Sequence, residues 1–266
     1  MNKPIGVIDS GLGGLTVAKE LLRQLPKEEI IYIGDSARCP YGPRTPEEVR
    51  EFTWQMINRL VDEGIKMLVI ACNTAAAVVL NEVSETLTIP TIGVVHPGAV
   101  SALKVTQNDH VAIIGTEGTI KSQAYEKELM AINSQIEIES LACPAFVPLV
   151  ESGIFRGETA TEVVNRTLSS LKGKKFDTLI LGCTHYPLLK EPIQEAVGQE
   201  VRLISSGEET AREVSSLLYY QGLLYTGKRV PKHRFYTTGG AAQFKRLADQ
   251  WLEMNVECVR HMQLVD

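Results

Sequence analysis

Short β-branched apolar runs alternate with longer amphipathic stretches along this chain, and that alternation restricts its fold more than any other feature. Ile5 to Ile8, Ile30 to Ile33, Met67 to Ala71 and Thr91 to Val95 are each too short for a helix, and turns with helical patterns separate them. Such a succession reads as βα units, whose parallel sheet must be covered by helices on both faces. Gly11-Leu12-Gly13-Gly14 turns the first strand into a helix ending near Pro26. Between Pro46 and Glu63 the apolar positions Val49, Phe52, Met56 and Leu60 recur at helical spacing, with Thr45 as the expected N-cap. Another helix is expected over Thr74 to Leu87, and His96-Pro97-Gly98 is expected to close the strand Thr91 to Val95 as a turn.

After Pro97 the pattern starts again. Helix Ala99 to Lys104, strand His110 to Ile114, turn Gly115-Thr116-Glu117-Gly118-Thr119, helix Gln123 to Ile132 and strand Ile136 to Ser140 lead towards the strand Thr178 to Gly182. Two of the apolar runs end in a thiol: Met67 to Ala71 runs into Cys72-Asn73-Thr74, and Thr178 to Gly182 into Cys183-Thr184-His185. The cysteines lie 111 residues apart, and Val7-Ile8-Asp9-Ser10-Gly11 is similar to Ile113-Ile114-Gly115-Thr116-Glu117 at an offset of 106. Two features repeated at nearly one offset indicate a duplicated half. The expected fold class is therefore α/β, with two similar doubly wound domains, mostly parallel sheets, and the active site in the cleft between them.

Residues 1–97 with 207–266 are expected to form the first, discontinuous domain and residues 98–206 the second. Ser205-Ser206-Gly207 reads as a helix start at that boundary. The strand Arg234 to Thr237, helix Ala241 to Leu252 and strand Val256 to Val259 are too little for a domain of their own and are expected to return to the first half.

Composition narrows the function classes. With 44% hydrophobic and 22% charged residues the chain is ordinary globular protein. A net charge of −5 leaves no electrostatic footprint for nucleic acid, and the basic clusters Lys172 to Lys175 and Lys228 to Arg234 flank turn-like segments. No apolar run approaches the length of a membrane span, and Met1-Asn2-Lys3-Pro4 leads directly into a strand without a signal peptide. Five cysteines without paired spacing do not make a disulfide framework. A cytoplasmic protein with reduced thiols is expected.

The motifs together resemble the glutamate racemases of the aspartate/glutamate racemase superfamily. The residues that carry the likeness are Ile8-Asp9-Ser10-Gly11-Leu12-Gly13-Gly14, Gly34-Asp35 through Pro40-Tyr41-Gly42, Ala71-Cys72-Asn73-Thr74-Ala75, Gly115-Thr116 to Thr119, and Gly182-Cys183-Thr184-His185-Tyr186-Pro187. They span both halves in order. The resemblance implies an isomerase that moves one proton at Cα between L- and D-glutamate without a cofactor or metal, supplying D-glutamate for peptidoglycan. It also implies a small-molecule partner, L-/D-glutamate, and neither nucleic acid nor membrane, with a homodimer as one possible assembly. Some members are regulated through an N-terminal extension; here the first strand begins at Ile5, so no cell-wall precursor is expected to be needed as activator.

Chemistry gives the same demand independently. Inverting a Cα centre without a cofactor requires a base on one face and an acid on the other, and Cys72 and Cys183 at matching strand ends can supply both. A free thiol has a pKa of about 8.5, which a helix N-terminus or a nearby cation lowers. The plain alternative for either cysteine is a small buried hydrophobe. By resemblance Asp9 assists Cys72 and His185 assists Cys183, while an N-cap and a structural histidine are their plain readings. Glu151 matches a family acid near the second half-site, and a solvated helix charge is its alternative. Asp9, Ser10, Asn73, Thr74, Thr116, Thr119, Thr184 and His185 are expected to bind substrate, its carboxylates falling to hydroxyls, the amide and turn N–H groups. Tyr41 and Gly42 resemble a family loop over the site. Cys39, Cys143 and Cys258 have no matching constellation and read as structural.

Other classes remain open at this level. One is a racemase acting on another amino acid such as aspartate, or on a hydantoin. Another is a non-catalytic regulatory binding protein. A zinc site through Cys72, Cys183 and His185 lacks a close second ligand pair and would tie up the thiolates.

Overall fold

The computed structural model of the chain describes residues 2–254 and 256–264. Met1, Asn255, Val265 and Asp266, which the expected domain bounds include, lie outside the described residues. In chain order the strands are β1 (Ile5–Asp9), β2 (Ile30–Gly34), β3 (Met67–Ile70), β4 (Thr91–Gly93), β5 (His110–Gly115), β6 (Glu137–Ala142), β7 (Thr178–Gly182), β8 (Arg202–Ser205), β9 (Arg234–Thr237) and β10 (Val259–His261). They form two sheets ordered β10-β9-β2-β1-β3-β4 and β6-β5-β7-β8. Every strand pairing in both is parallel. The order β2-β1-β3-β4 matches β6-β5-β7-β8 when each strand is advanced by four, so the repeat in sequence is a repeat in topology.

Burial explains which runs became strands. β1, β2, β3, β5 and β7 are buried at every position, which is why they read as continuous apolar runs rather than alternating ones. β6 is an edge strand whose residues are exposed or half-buried, and its Glu137 and Glu139 keep another strand from pairing there. The helix Pro46–Asp62 begins with a full capping box: the Glu48 N–H donates to Thr45 Oγ1 at 3.3 Å and the Thr45 N–H to Glu48 Oε2 at 3.1 Å. Its buried stripe is Val49, Thr53, Met56, Ile57 and Leu60.

Several expected boundaries move. His96-Pro97-Gly98 is not a turn; β4 stops at Gly93 and a helix runs over Val95–Val105. Pro97 fits its first turn, where no intrahelical N–H bond is required. Gly98 belongs there because a Cβ would come within 3.1 Å of the Tyr125 hydroxyl and 3.2 Å of Ser206 Cβ. The expected turn after β5 is a helix, Glu117–Ser122, capped by the Thr116 side chain accepting from the Thr119 N–H. The strand expected over Ile136 to Ser140 runs later, as β6 over Glu137–Ala142. The last strand is Val259–His261 rather than Val256 to Val259, since the Val256 N–H is taken by the Asp249 carboxylate.

Helix Val95–Val105 and helix Ser206–Tyr220 carry the chain between the two sheets, and they pack on each other. The second also packs on helix Leu15–Gln24, and β9 then joins the outer edge of β2. A buried ion pair secures this return: Lys66 Nζ donates to both Glu28 oxygens, at 2.8 and 2.7 Å, and to the Leu223 carbonyl at 2.7 Å. The Tyr225 N–H also donates to Glu28, at 2.7 Å. Removing the carboxylate takes the Glu28 counter-charge from a buried ammonium. Glu28→Ala is expected to cost about 3–5 kcal/mol, against about 1 kcal/mol for Thr45→Ala at the exposed cap. Denaturant unfolding of the two variants checks that ranking; equal losses would contradict it.

Candidate active site

Four strand ends converge on one enclosed space. β1 ends at Asp9, β3 leads into Cys72, β5 into Thr116 and β7 into Cys183. Cys72 is itself the N-cap of the helix Asn73–Thr86, accepting from the Ala75 N–H at 3.5 Å. The first sheet contributes Ser10, Tyr41, Gly42, Cys72, Asn73 and Thr74 to the wall; the second contributes Thr116, Cys183, Thr184 and His185, with Pro40 and Val147 completing it. Asp9, Thr119 and Glu151 stand behind that wall. The space inside is about 10 Å³, about one water molecule. An amino acid does not fit in that space as it stands.

The two thiols are nearly dry, Cys72 being 5% and Cys183 6% exposed. For Cys72 the expected lowering does not occur. Burial and the Asp9 charge push it up to about 12, and the opposing Ala75 N–H and Ser10 hydroxyl do not compensate. The Cys72 thiol donates to Ser10 Oγ at 3.6 Å. Cys183 has a different neighbour: His185 Nδ1 lies 3.8 Å from its sulfur, and His185 Nε2 meets Glu151 Oε1 at 2.6 Å. Burial disfavours the imidazolium, yet the hydrogen bonds and charges of Cys183 and Glu151 outweigh it and carry His185 up to about 10. The half-exposed Glu151 on helix Phe146–Glu151 is thus the partner of His185 rather than a solvated charge.

Asp9 is fully buried and is not a helix N-cap. The Gly11 N–H donates to one carboxylate oxygen at 2.9 Å and the Thr184 hydroxyl to the other at 3.3 Å. Burial raises its pKa, against the lowering effects of His185 and the Gly14 and Gly11 N–H groups. The same region shows why the turn after β1 is glycine-rich. A Cβ on Gly13 would stand 2.3 Å from Thr184 Oγ1 and 2.5 Å from His185 Nδ1, so the backbone of one half lies directly on the second thiol's loop.

Thr74, Thr116 and Thr119 form a triangle of hydroxyls across the two halves, with separations of 2.8, 3.0 and 3.3 Å. Asn73 Oδ1 accepts from the Tyr125 hydroxyl at 2.7 Å, while its Nδ2 is buried without a hydrogen-bond partner among the described residues. A buried amide donor left this way is suited to a ligand carboxylate. Tyr41 lines the cavity, and its hydroxyl donates to Asp35. The neighbouring Gly42 carbonyl accepts from the Gly118 N–H at 2.9 Å.

Three contributors escaped the sequence reading. Tyr125 holds Asn73, Asp35 holds Tyr41, and Cys39 faces Glu151 and His185. Among the described residues Cys39, Glu151 and His185 are also the one group whose donor atoms, all within 4.8 Å of one another, suit a metal ion. Only the Gly34-Asp35 motif carried a signal beforehand. No helix among the described residues is long and apolar enough to cross a membrane.

The model of the Asp/Glu/Hydantoin racemase family matches residues 5–214. A glutamate racemase of Bacillus cereus is 60% identical over 264 residues, covering 99% of this chain and 98% of its own length. Among solved structures, a glutamate racemase isoform from Bacillus anthracis superposes with a TM-score of 0.93 at 47% identity, covering 98% of each chain. The Francisella tularensis glutamate racemase, solved with D-glutamate, gives 0.93 at 37% identity, covering 99% of this chain and 98% of its own.

The raised His185 pKa makes stability depend on pH. The folded protein holds this proton more tightly than the unfolded chain, so the stabilisation is complete below the ordinary histidine value of 6.5 and is lost as pH rises towards about 10. Glu151→Gln removes one of the causes, so its difference from the wild type should shrink across that window. Denaturant unfolding from neutral to alkaline pH tests this; parallel curves for the two proteins would contradict it.

Proposed function

The chain belongs to the glutamate racemases of the Asp/Glu/Hydantoin racemase family, and we propose that it interconverts L- and D-glutamate by proton transfer between Cys72 and Cys183. What carries the reading is that both thiols line one enclosed cavity at equivalent strand ends of the two sheets. One thiolate removes the Cα proton while the opposite thiol delivers its own to the other face. The pair then holds the reverse protonation pattern, ready for the other enantiomer or for reset by exchange with solvent.

The neighbours divide the work. Cys72 takes the proton from D-glutamate and Cys183 from L-glutamate. Cys72, held protonated by burial and by Asp9, gains from substrate binding, because the substrate ammonium brings the positive charge that this dry corner lacks. His185, with Glu151 behind it, keeps a positive charge beside Cys183. The carboxylates are assigned to Ser10, the Asn73 amide, the Thr74, Thr116 and Thr119 triangle, and Thr184, with no lysine or arginine among the lining residues. Tyr41 and Gly42 close the loop over the site. Opening is assigned to relative motion of residues 1–97 with 207–266 against residues 98–206, which would widen the one-water cavity.

In the cell the product would serve peptidoglycan synthesis in the cytoplasm, a setting that five unbridged cysteines suit. A homodimer is part of the same proposal. The exposed pair Tyr219 and Tyr220, stacked edge to face, is apolar surface that a partner copy would cover; sedimentation of the purified protein decides it.

Purified protein without added pyridoxal phosphate or metal is expected to interconvert L- and D-glutamate, in preference to aspartate, and to incorporate solvent deuterium at Cα. Racemisation in deuterium oxide without label would refute the mechanism, and turnover confined to another amino acid would refute the substrate. Cys72→Ala and Cys183→Ala should each lose about 10²–10⁴-fold or more in both directions, because each thiol is base for one direction and acid for the other. With a glutamate analogue bearing a leaving group beside Cα, only the abstracting base is needed. Cys72→Ala should then keep elimination from the L-analogue and Cys183→Ala from the D-analogue; the opposite pattern would reverse the assignment of faces.

A further inference from the structure

Cys39 reads from sequence as a structural cysteine, yet its surroundings are those of a ligand. It follows β2 in the chain, Glu151 ends the helix Phe146–Glu151, and His185 follows β7, so three remote segments bring their side chains to one corner. The thiol sulfur, a carboxylate oxygen and an imidazole nitrogen all lie within 4.8 Å of one another. Gly11 leaves this corner free of a side chain: a Cβ there would stand 3.1 Å from Cys39 Sγ and 3.7 Å from Glu151 Oε1. His185 is buried while Cys39 and Glu151 are partly exposed, so the corner has a rigid inner wall and an outer side reachable from solvent.

We propose that Cys39, Glu151 and His185 form a binding site for a borderline-soft divalent cation of the zinc class, placed against the outside of the active-site wall. One sulfur, one nitrogen and one oxygen are a donor set that zinc accepts, with water in the fourth tetrahedral place. Ligand atoms about 2.0–2.3 Å from such an ion stand roughly 3.3–3.6 Å apart. The 2.6 Å contact between His185 and Glu151 must therefore open and Cys39 must close in, which side-chain rotation at a half-exposed carboxylate and thiol permits. On binding, the Cys39 thiol and the His185 imidazolium each release a proton to solvent, and the sulfur and the freed ring nitrogen each donate an electron pair to the ion; nothing is oxidised. Magnesium and calcium, which require oxygen-rich sites, are excluded.

A cation seated here separates His185 from Glu151 and pins the ring that faces Cys183, so racemisation falls while it is bound. That consequence rests on the function proposed above; the binding itself does not. Cobalt(II), which takes zinc sites and reports thiolate ligation by a charge-transfer absorption band, separates the two. The wild type should bind one equivalent and show the band. The Cys72→Ala/Cys183→Ala double variant, lacking both catalytic thiols, should keep it, and Cys39→Ser and Cys39→Ala should lose it. In activity assays zinc should inhibit the wild type reversibly with respect to a chelator, whereas the two Cys39 variants should keep their chelator-treated activity when zinc is added. Loss of the band in the double variant would overturn the site, placing the cation on the catalytic thiols. Retention of the band in both Cys39 variants would overturn it equally. Binding without inhibition would leave the site standing and remove only its effect on turnover.

Discussion

The hydrogen bond from Thr184 to Asp9 joins the last residue of β1 to the loop that follows β7, and the geometry of the cleft depends on it. Asp9 is held from its own side by the Gly11 N–H, so the bond fixes the second half's thiol loop against a rigid turn of the first. Gly13 makes the approach sterically possible, because any side chain there would collide with Thr184 and His185. The loops at the carboxyl ends of two sheets of equivalent strand order meet at this contact. Charge, hydrogen bonding and backbone shape act on the same few atoms at this contact.

Dryness then sets the electrostatics. With about one water's worth of space, each ionisable group answers to its immediate partners rather than to solvent. Cys72 has a carboxylate for a neighbour and is held as a thiol, whereas Cys183 sits beside an imidazole that favours positive charge. The two half-sites are equivalent in topology and unlike in charge.

Much of this was legible in the sequence, for a physical reason. Strands buried on both faces must be continuous apolar runs, so β1, β2, β3, β5 and β7 could be read directly, and the residues at their ends followed. Cys72, Cys183, Ser10, Asn73, Thr74, Thr116 and Thr184 all reach the cavity because strand ends are where a parallel sheet presents side chains. What was hidden depends on contacts between distant segments. The direction of the Tyr41 hydroxyl is set by Asp35, the Asn73 amide by Tyr125, and the environment of Cys39 by residues more than a hundred positions away. The expected lowering of the Cys72 pKa failed because local helix placement says nothing of how completely the site is desolvated. His96-Pro97-Gly98 misled because proline in a first helical turn and glycine at a close helix contact have the composition of a turn.

The two sheets differ in how they are assembled along the chain. β5 to β8 are consecutive, so the second sheet is complete once residue 205 has been made. The first sheet is not: β2 keeps an open edge until β9, beginning at Arg234, arrives to pair with it. Synthesis therefore passes through a stage at which one half has all its strands while the other exposes the apolar strand Ile30–Gly34 to any passing chain. Closure of that edge waits on the last segment, which Glu28 and Lys66 hold at Leu223 and Tyr225.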